Sequence, residues 1–363
     1  MNLTKKAVLH SYGINGLLAL IVFVILTVLM QTGVFSGYIS NMILLICINC
    51  ILAISLNLTT GILGELCLGH AGFMAVGAYS CALFVMHSGL PPALGFPLGL
   101  IIGSLAGGLV GFLVGLPALK LRGDYLAIIT LGFGQIIAII LRSMKSVTGG
   151  ARGLIGIPNL TNFNYVYWLM ILEIFIIYAL IHSRHGRAIT AIRDDDIAAA
   201  AAGINVYKYK MLAFIFSAAF AGLAGGLFAH YQSILVPNKF DFNYSIDIMV
   251  MVVFGGMGSL TGSVLSATIL TLTSQLLHAF SSYKILIYSV LLIIMMIFRP
   301  QGLLGNREIS QQLILKYARK IKGWFRPGEP KSDGGLHNGA VRTTDAVKQT
   351  DGVASADSGE KTL

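Results

Sequence analysis

Charge is what this sequence has least of. Its 25 Lys and Arg and 15 Asp and Glu make up 11% of 363 residues, under half of the ~25% carried by a soluble globular domain. So few charges cannot cover the surface of a water-soluble fold of this length. The rest of the composition agrees, with 56% hydrophobic residues and a mean hydropathy of +0.80. Cysteine is scarce too, and Cys47, Cys50, Cys67 and Cys81 all lie in or beside apolar runs. Cys47 and Cys50 form a CxxC, but without an aqueous cysteine pair to exchange with they read as small apolar helix residues rather than a redox or zinc motif. Proline is limited to 9 residues, whereas glycine reaches 42 with no three-residue period. That pattern excludes collagen and most disorder, and suits close packing of helices in lipid.

Catalytic equipment is missing as well. The sequence contains no GxxxxGK[ST] phosphate loop, no HExxH, no Ser/His/Asp arrangement in an aqueous loop and no credible metal cluster. The ionisable residues expected at membrane depth are Glu65, His70, Glu173 and Asp247, too few and too scattered for a proton relay. Glu173 reads as bonding a neighbouring helix, and His185, beside Arg184 and Arg187, as a solvated loop residue. The chain is therefore expected not to be an enzyme and to bind no cofactor. The net charge of +10 does not point to nucleic acid, because the basic residues sit in short gaps between apolar runs or near the C-terminus.

Those apolar runs are what the sequence does have. Lengths and interruptions predict an all-α polytopic membrane protein with about ten spans, some short or broken. They fall near 14–33, 39–58, 72–88, 93–116, 125–142, 163–182, 209–230, 245–256, 263–280 and 284–299. The first follows Lys5 and Lys6 and lacks a small-x-small cleavage site, so it reads as an anchor rather than a removable signal. With the N-terminus inside, the cytoplasmic gaps hold Lys5, Lys6, Lys120, Arg122, Arg184, Arg187, Arg193, Lys208, Lys210 and Arg299. The outer gaps hold half as many, namely Arg142, Lys145, Arg152, Lys239 and Lys284. Both termini are thus expected on the cytoplasmic side of a bacterial inner membrane.

Two glycine clusters interrupt the helical pattern. One runs from Gly61 to Gly72 and contains Gly64, Glu65, Gly69 and His70. The other runs from Phe254 to Ser263 and contains Gly255, Gly256, Gly258 and Ser259. In each, a span running inward meets a break and then a span running outward, which hints at an ancient parallel repeat. Unwound backbone at membrane depth is tolerated where it is buried in protein or lines a wet cavity. The two breaks either frame a substrate path or let helices pack closely. Glu65 and His70 either touch a polar substrate or sit at the inner water boundary.

A third feature is the cytoplasmic gap at 183–210. Asp194, Asp195 and Asp196 stand where a helix N-terminus favours negative charge. Ala198 to Ala202 follow, and Gly203 stands where a left-handed C-terminal cap would end a helix. The spacing predicts a helix of two or three turns, with a face small enough for another surface to approach closely: a docking element for a cytoplasmic partner. After the membrane domain at 1–305, residues 306–326 read as a basic amphipathic helix on the anionic inner leaflet. Residues 327–363, poor in large apolar side chains, read as a disordered tail.

Together these stretches resemble an ABC-importer permease, and more narrowly the branched-chain amino acid permeases of the LivM type. The resemblance is carried by Gly61–Tyr79 (GILGELCLGHAGFMAVGAY), Arg122–Gly134 (RGDYLAIITLGFG), Gly149–Pro158 (GGARGLIGIP), Gly186–Gly203 (GRAITAIRDDDIAAAAAG), Gly255–Gly262 (GGMGSLTG) and Arg299–Leu304 (RPQGLL). These stretches lie in family order across most of the membrane part.

Such permeases share a cytoplasmic signature of Glu-Ala-Ala, three residues and Gly that docks into the ATPase subunit. Ala198, Ala199 and Gly203 match it, while Ile197 stands at the glutamate position. Asp195 or Asp196 is then the stand-in for that acid, and Arg193 a candidate partner for an acidic rim on the ATPase. The resemblance implies an ABC-importer permease fold and a path for leucine-, isoleucine- or valine-like amino acids. It also implies partners: a second, LivH-like permease, two ATPase subunits holding ATP and Mg, and an extracytoplasmic binding protein. Similar permeases carry urea or short amides, and an ion-coupled secondary transporter built on the two breaks is a further alternative.

Overall fold

In lipid the backbone must pair its own N–H and C=O groups, which the helix does within one segment. The computed structural model describes residues 20–30, 36–121 and 123–276, with isolated positions at 32, 289, 290, 293, 297, 302 and 303. All belong to one unit, residues 1–314. The expected basic helix at 306–326 and the tail at 327–363 lie outside the described residues, as do nearly all of the tenth span, residues 14–19 of the first and residues 277–280 of the ninth.

The chain order is α1 (Leu20–Met30), α2 (Gly37–Asn57), α3 (His70–His87), α4 (Pro92–Ala118), α5 (Asp124–Ser143), α6 (Lys145–Thr148), α7 (Phe163–His182), α8 (Arg184–Asp194), α9 (Asp196–Ala201), α10 (Val206–Gln232), α11 (Phe242–Gly255) and α12 (Leu260–Leu276). Among the described residues six helices are long and apolar enough to cross a membrane, with α1, α11 and α12 as shorter apolar helices. The one described sheet is a two-residue antiparallel pair, Leu154–Ile155 against Ile234–Leu235.

Helix α2 is the centre of the bundle. It passes without interruption into a π-helical turn, Leu58–Ile62, and every residue from 47 to 63 is buried. Cys47 and Cys50 lie on this stretch as free, buried thiols, packed as the small apolar residues expected of them. Beside it, α10 meets α3 and α4 at backbone contact. A Cβ on Gly77 of α3 would sit 2.2 Å from the Gly222 carbonyl oxygen of α10, and one on Gly222 would sit 2.5 Å from the Gly103 oxygen of α4. Small residues do this in membranes because lipid supplies no hydrophobic drive to bring helices together, and close van der Waals contact replaces it. On the outer side of α4, Ile101, Leu105 and Leu109 are exposed, as expected of a lipid-facing stripe.

Two expectations change. The first break is narrower than the glycine cluster, because helix resumes at His70, and the second shrinks to residues 256–259. Among the described residues Glu173 bonds no neighbouring helix: it is fully buried on α7 and neither carboxyl oxygen has a hydrogen-bond partner there.

Candidate functional site

The site begins where α7 ends. Ser183 Oγ accepts the backbone N–H of His185 and Gly186 at 3.1 and 3.2 Å, starting α8 one residue after α7 stops. Gly186 allows this tight turn, since a Cβ there would lie 2.1 Å from the Ile181 oxygen. Helix α8 then packs Ile189 and Ile192 inward. Asp195, extended between the helices, accepts the N–H of Ile197 and Ala198 at 2.9 and 3.0 Å, the N-cap arrangement that satisfies the orphan donors of a helix start. Gly203, with φ +83°, follows the last turn. Its N–H bonds the Ala200 carbonyl at 3.0 Å, and the Ile204 N–H bonds that of Ala199 at 3.1 Å.

The expected helix of two or three turns is the six-residue α9, separated from an earlier helix by the extended Asp195. The short α9 holds the alanines, while α8, absent from the sequence reading, precedes it. Its signal was present in Ser183 as a cap and in Ile189 and Ile192 three apart. Of α9, Ala199 is buried, Asp196 is half-buried and Ala198 is exposed. Ile197 is 68% exposed at the turn's outer edge.

Arg193, at the end of α8, turns towards the bundle. Its Nη1 donates to the Gly61 carbonyl at 3.3 Å, and its Nη2 pairs with Asp194 at 3.2 Å. The Arg193 Cγ lies 2.8 Å from where a Cβ on Gly64 would stand. Four residues into α10, Lys210 forms a buried ion pair with Glu65. The C-terminal end of α8 and the first turn of α10 therefore both grip the first glycine break. Lys210 was read only as a loop charge. It is buried together with its partner Glu65, which lies in the break just past the π-helical turn.

The remaining break residues are packed. His70 is fully buried with its Nε2 at 2.9 Å from Ser55 Oγ, and a Cβ on Gly69 would lie 2.3 Å from the Thr130 oxygen of α5. In the second break, Gly256 and Gly258 have φ of +105° and +91°, values open to glycine at no steric penalty. Gly255 sits against Gly262, and Ser259 Oγ accepts the Gly262 N–H at 3.0 Å. The two breaks meet through Asn57, the last residue of α2. Its Oδ1 accepts the Gly258 N–H at 2.9 Å and its Nδ2 donates to the Ser259 carbonyl at 3.0 Å. Sequence reading missed Asn57, although an amide in an otherwise apolar run is such a signal.

Long apolar spans, a short exposed helix between two of them and two joined helix breaks beneath it define a multi-pass membrane permease. The chain belongs to the branched-chain amino acid transport system / permease component family, whose model matches residues 38–299. It is 37% identical over 288 residues to the high-affinity branched-chain amino acid transport system permease proteins LivM of Salmonella typhimurium and of Escherichia coli, covering 70% of this chain and 67% of each relative. It is also similar to LivH of Escherichia coli, at 29% identity over 199 residues, covering 48% of this chain and 63% of the relative. No solved structure matches.

Proposed function

We propose that this chain is the LivM-type permease subunit of a binding-protein-dependent ABC importer that carries leucine-, isoleucine- or valine-like amino acids across a bacterial inner membrane. Both termini and the α8–α9 turn face the cytoplasm. A LivH-like second permease completes the path, an extracytoplasmic binding protein delivers the substrate, and two ATPase subunits hold ATP and Mg. This chain supplies passage and coupling and binds neither.

The observation that carries the reading is the α8–α9 turn. It presents Ile197 and Ala198 outward on a capped helix and is tied by Arg193 to Gly61. In this reading α9 seats in the ATPase, with Asp195 and Gly203 fixing its two ends, Asp196 in its first turn and Ala199 as its inner seat. A push on α9 passes through Arg193, and through Lys210 and Glu65, to the first break at Gly64 and Gly69 and to His70 at the start of α3. Asn57 hands it on to Gly255, Gly256, Gly258 and Ser259. Both breaks then form the inner end of the path. Packed glycines in two arrangements suit such a switch, since packed interfaces change between discrete states rather than deform continuously.

The test is transport by the chain reconstituted with a second permease, the ATPases and the binding protein in phosphatidylethanolamine–phosphatidylglycerol vesicles. ATP-dependent leucine uptake that needs the binding protein is the expected result. Uptake by the isolated chain driven by an ion gradient, or transport of urea or short amides in place of leucine, overturns it.

A further inference from the structure

Helix α7 carries an apolar stripe on its outer side. Tyr165, Trp168, Leu172 and Phe175 recur three and four residues apart, and all are exposed. Twenty residues of helix span about 30 Å, enough to cross the hydrocarbon layer. The stripe therefore meets acyl chains, and it runs on through Ala179 to His182, both exposed. There the chemistry changes. His182, Arg184, His185 and Arg187 follow one another closely, all exposed, where the chain leaves the apolar layer.

The cluster is turned towards the membrane. Arg187 Nη1 bends back to the His182 carbonyl at 3.5 Å, which holds the guanidinium beside the last turn of α7. The His182 ring lies 4.1 Å from that of Tyr178, a residue type that settles at the lipid–water boundary. The His185 ring lies 5.9 Å from that of Tyr209, so the first turn of α10 brackets the cluster on another side. Among the described residues no acid neutralises it: neither Arg184 nor Arg187 forms an ion pair, Asp194 is paired with Arg193, and Asp195 caps α9. Partial positive charge at the start of α8 adds to the field.

We propose that the α7–α8 turn binds an anionic phospholipid. Arg184 and Arg187 hold the phosphodiester, His182 and His185 flank it, and the acyl chains lie along the stripe of Leu172 and Phe175. An arginine fork matches phosphate oxygens in shape as well as charge. A zwitterionic headgroup, whose own ammonium is repelled here, fits less well. The inference rests on the reading of α9 as cytoplasmic only in giving this lipid to the inner leaflet. Its consequence lies along α8, where Arg193 grips Gly61 about 14 Å from Arg184. A lipid at the first turn steadies the far end of the arm that reaches the first break.

The test uses the assembled importer, purified in detergent and mixed with phosphatidylglycerol or phosphatidylcholine of equal chain length, with bound lipid counted by native mass spectrometry. Each arginine at an anionic surface strengthens binding roughly fivefold, so Arg184→Gln with Arg187→Gln should raise the phosphatidylglycerol concentration at half-occupancy at least tenfold. Phosphatidylcholine retention should not change. Glycerol 3-phosphate in excess should fail to displace the lipid. Both arginines are exposed, so the variant complex is expected to assemble.

Equal retention of phosphatidylglycerol by the variant and the unsubstituted complex overturns the site. So does displacement by glycerol 3-phosphate, the mark of a site for free anions. Loss of the ATPase or the second permease from the variant, with lipid retention unchanged, gives the arginines to a protein partner and overturns it too. ATP-driven leucine uptake by the unsubstituted complex, measured alongside, tests the transport reading separately. Uptake without selective retention sinks the lipid site alone, whereas selective retention without uptake upholds the lipid site and sinks the transport reading.

Discussion

Asn57 holds Gly258. Through its Oδ1 at 2.9 Å from the Gly258 nitrogen, and its Nδ2 at 3.0 Å from the Ser259 carbonyl, one buried side chain fastens the end of α2 to the second glycine break. Gly61 belongs to the same contact, for a Cβ there would fall 1.9 Å from the Asn57 Oδ1 and 2.2 Å from the Gly258 nitrogen.

Replacing Asn57 by Ala strands a partly buried N–H and a buried C=O. Each such loss is worth about 1–3 kcal/mol, so the variant should melt at a distinctly lower temperature in detergent and lose leucine uptake. Asn57→Ala with unchanged melting would mean that the two breaks are held together by something else.

The Lys210–Glu65 pair gives a contrast between single and double changes. Removing one partner of a buried pair costs about 3–5 kcal/mol, whereas apolar residues at both positions are often neutral. Lys210→Met alone should therefore destabilise strongly, and Lys210→Met with Glu65→Leu should recover most of the loss in a thermal melt. Uptake should not recover in the double variant if the pair also relays motion from α10 to the break. Equal stability of the single and double variants would refute a direct pairing.

Ile197 is where docking can be measured. Full burial of such a side chain is worth about 1.5–3 kcal/mol, or roughly ten- to a hundred-fold in affinity. Ile197→Asp should weaken co-purification with the ATPase by at least tenfold while membrane levels stay normal, because its side chain is largely exposed. Gly203→Asp is expected to uncouple ATP hydrolysis from uptake by straining the positive-φ cap. Normal coupling in both variants would count against α9 as the contact.

Gly222→Val should fail at an earlier stage. Its side chain would have to enter space occupied by the Gly103 carbonyl and Gly107 Cα, and overpacking of this kind commonly costs 1–3 kcal/mol. A large loss of monodisperse protein on extraction is expected. Full recovery of well-behaved protein would mean that α4 and α10 separate easily.

Much of this arrangement was legible in the sequence. Spans such as Phe163–His182 and the breaks around Gly64 and Gly256 appear as runs of hydropathy and their interruption. Asp195 and Gly203 appear as the residue types that begin and end a helix. Partnership was not legible. Glu65 and Lys210 are 145 positions apart and Asn57 and Gly258 are 201 apart, and no local pattern joins them. In lipid both faces of a helix are apolar, so periodicity does not reveal which side of α2 is central. Helix α8 was hidden for a different reason, because its charged residues read as a loop until Ile189 and Ile192 are seen to pack inward.

The touching backbones of Gly77, Gly103 and Gly222 have a mechanical consequence. Helices separated by long side chains can absorb a shove by changing rotamers, but here there are almost no rotamers to change. Helix α10 thus behaves as a strut braced by α3 and α4, with Lys210 near one end and Gln232 at the other. In the proposed orientation, a tilt imposed beside the ATPase reaches Phe228 with little lost on the way. The same bar that feels the nucleotide cycle would then carry its motion to the far face of the bundle.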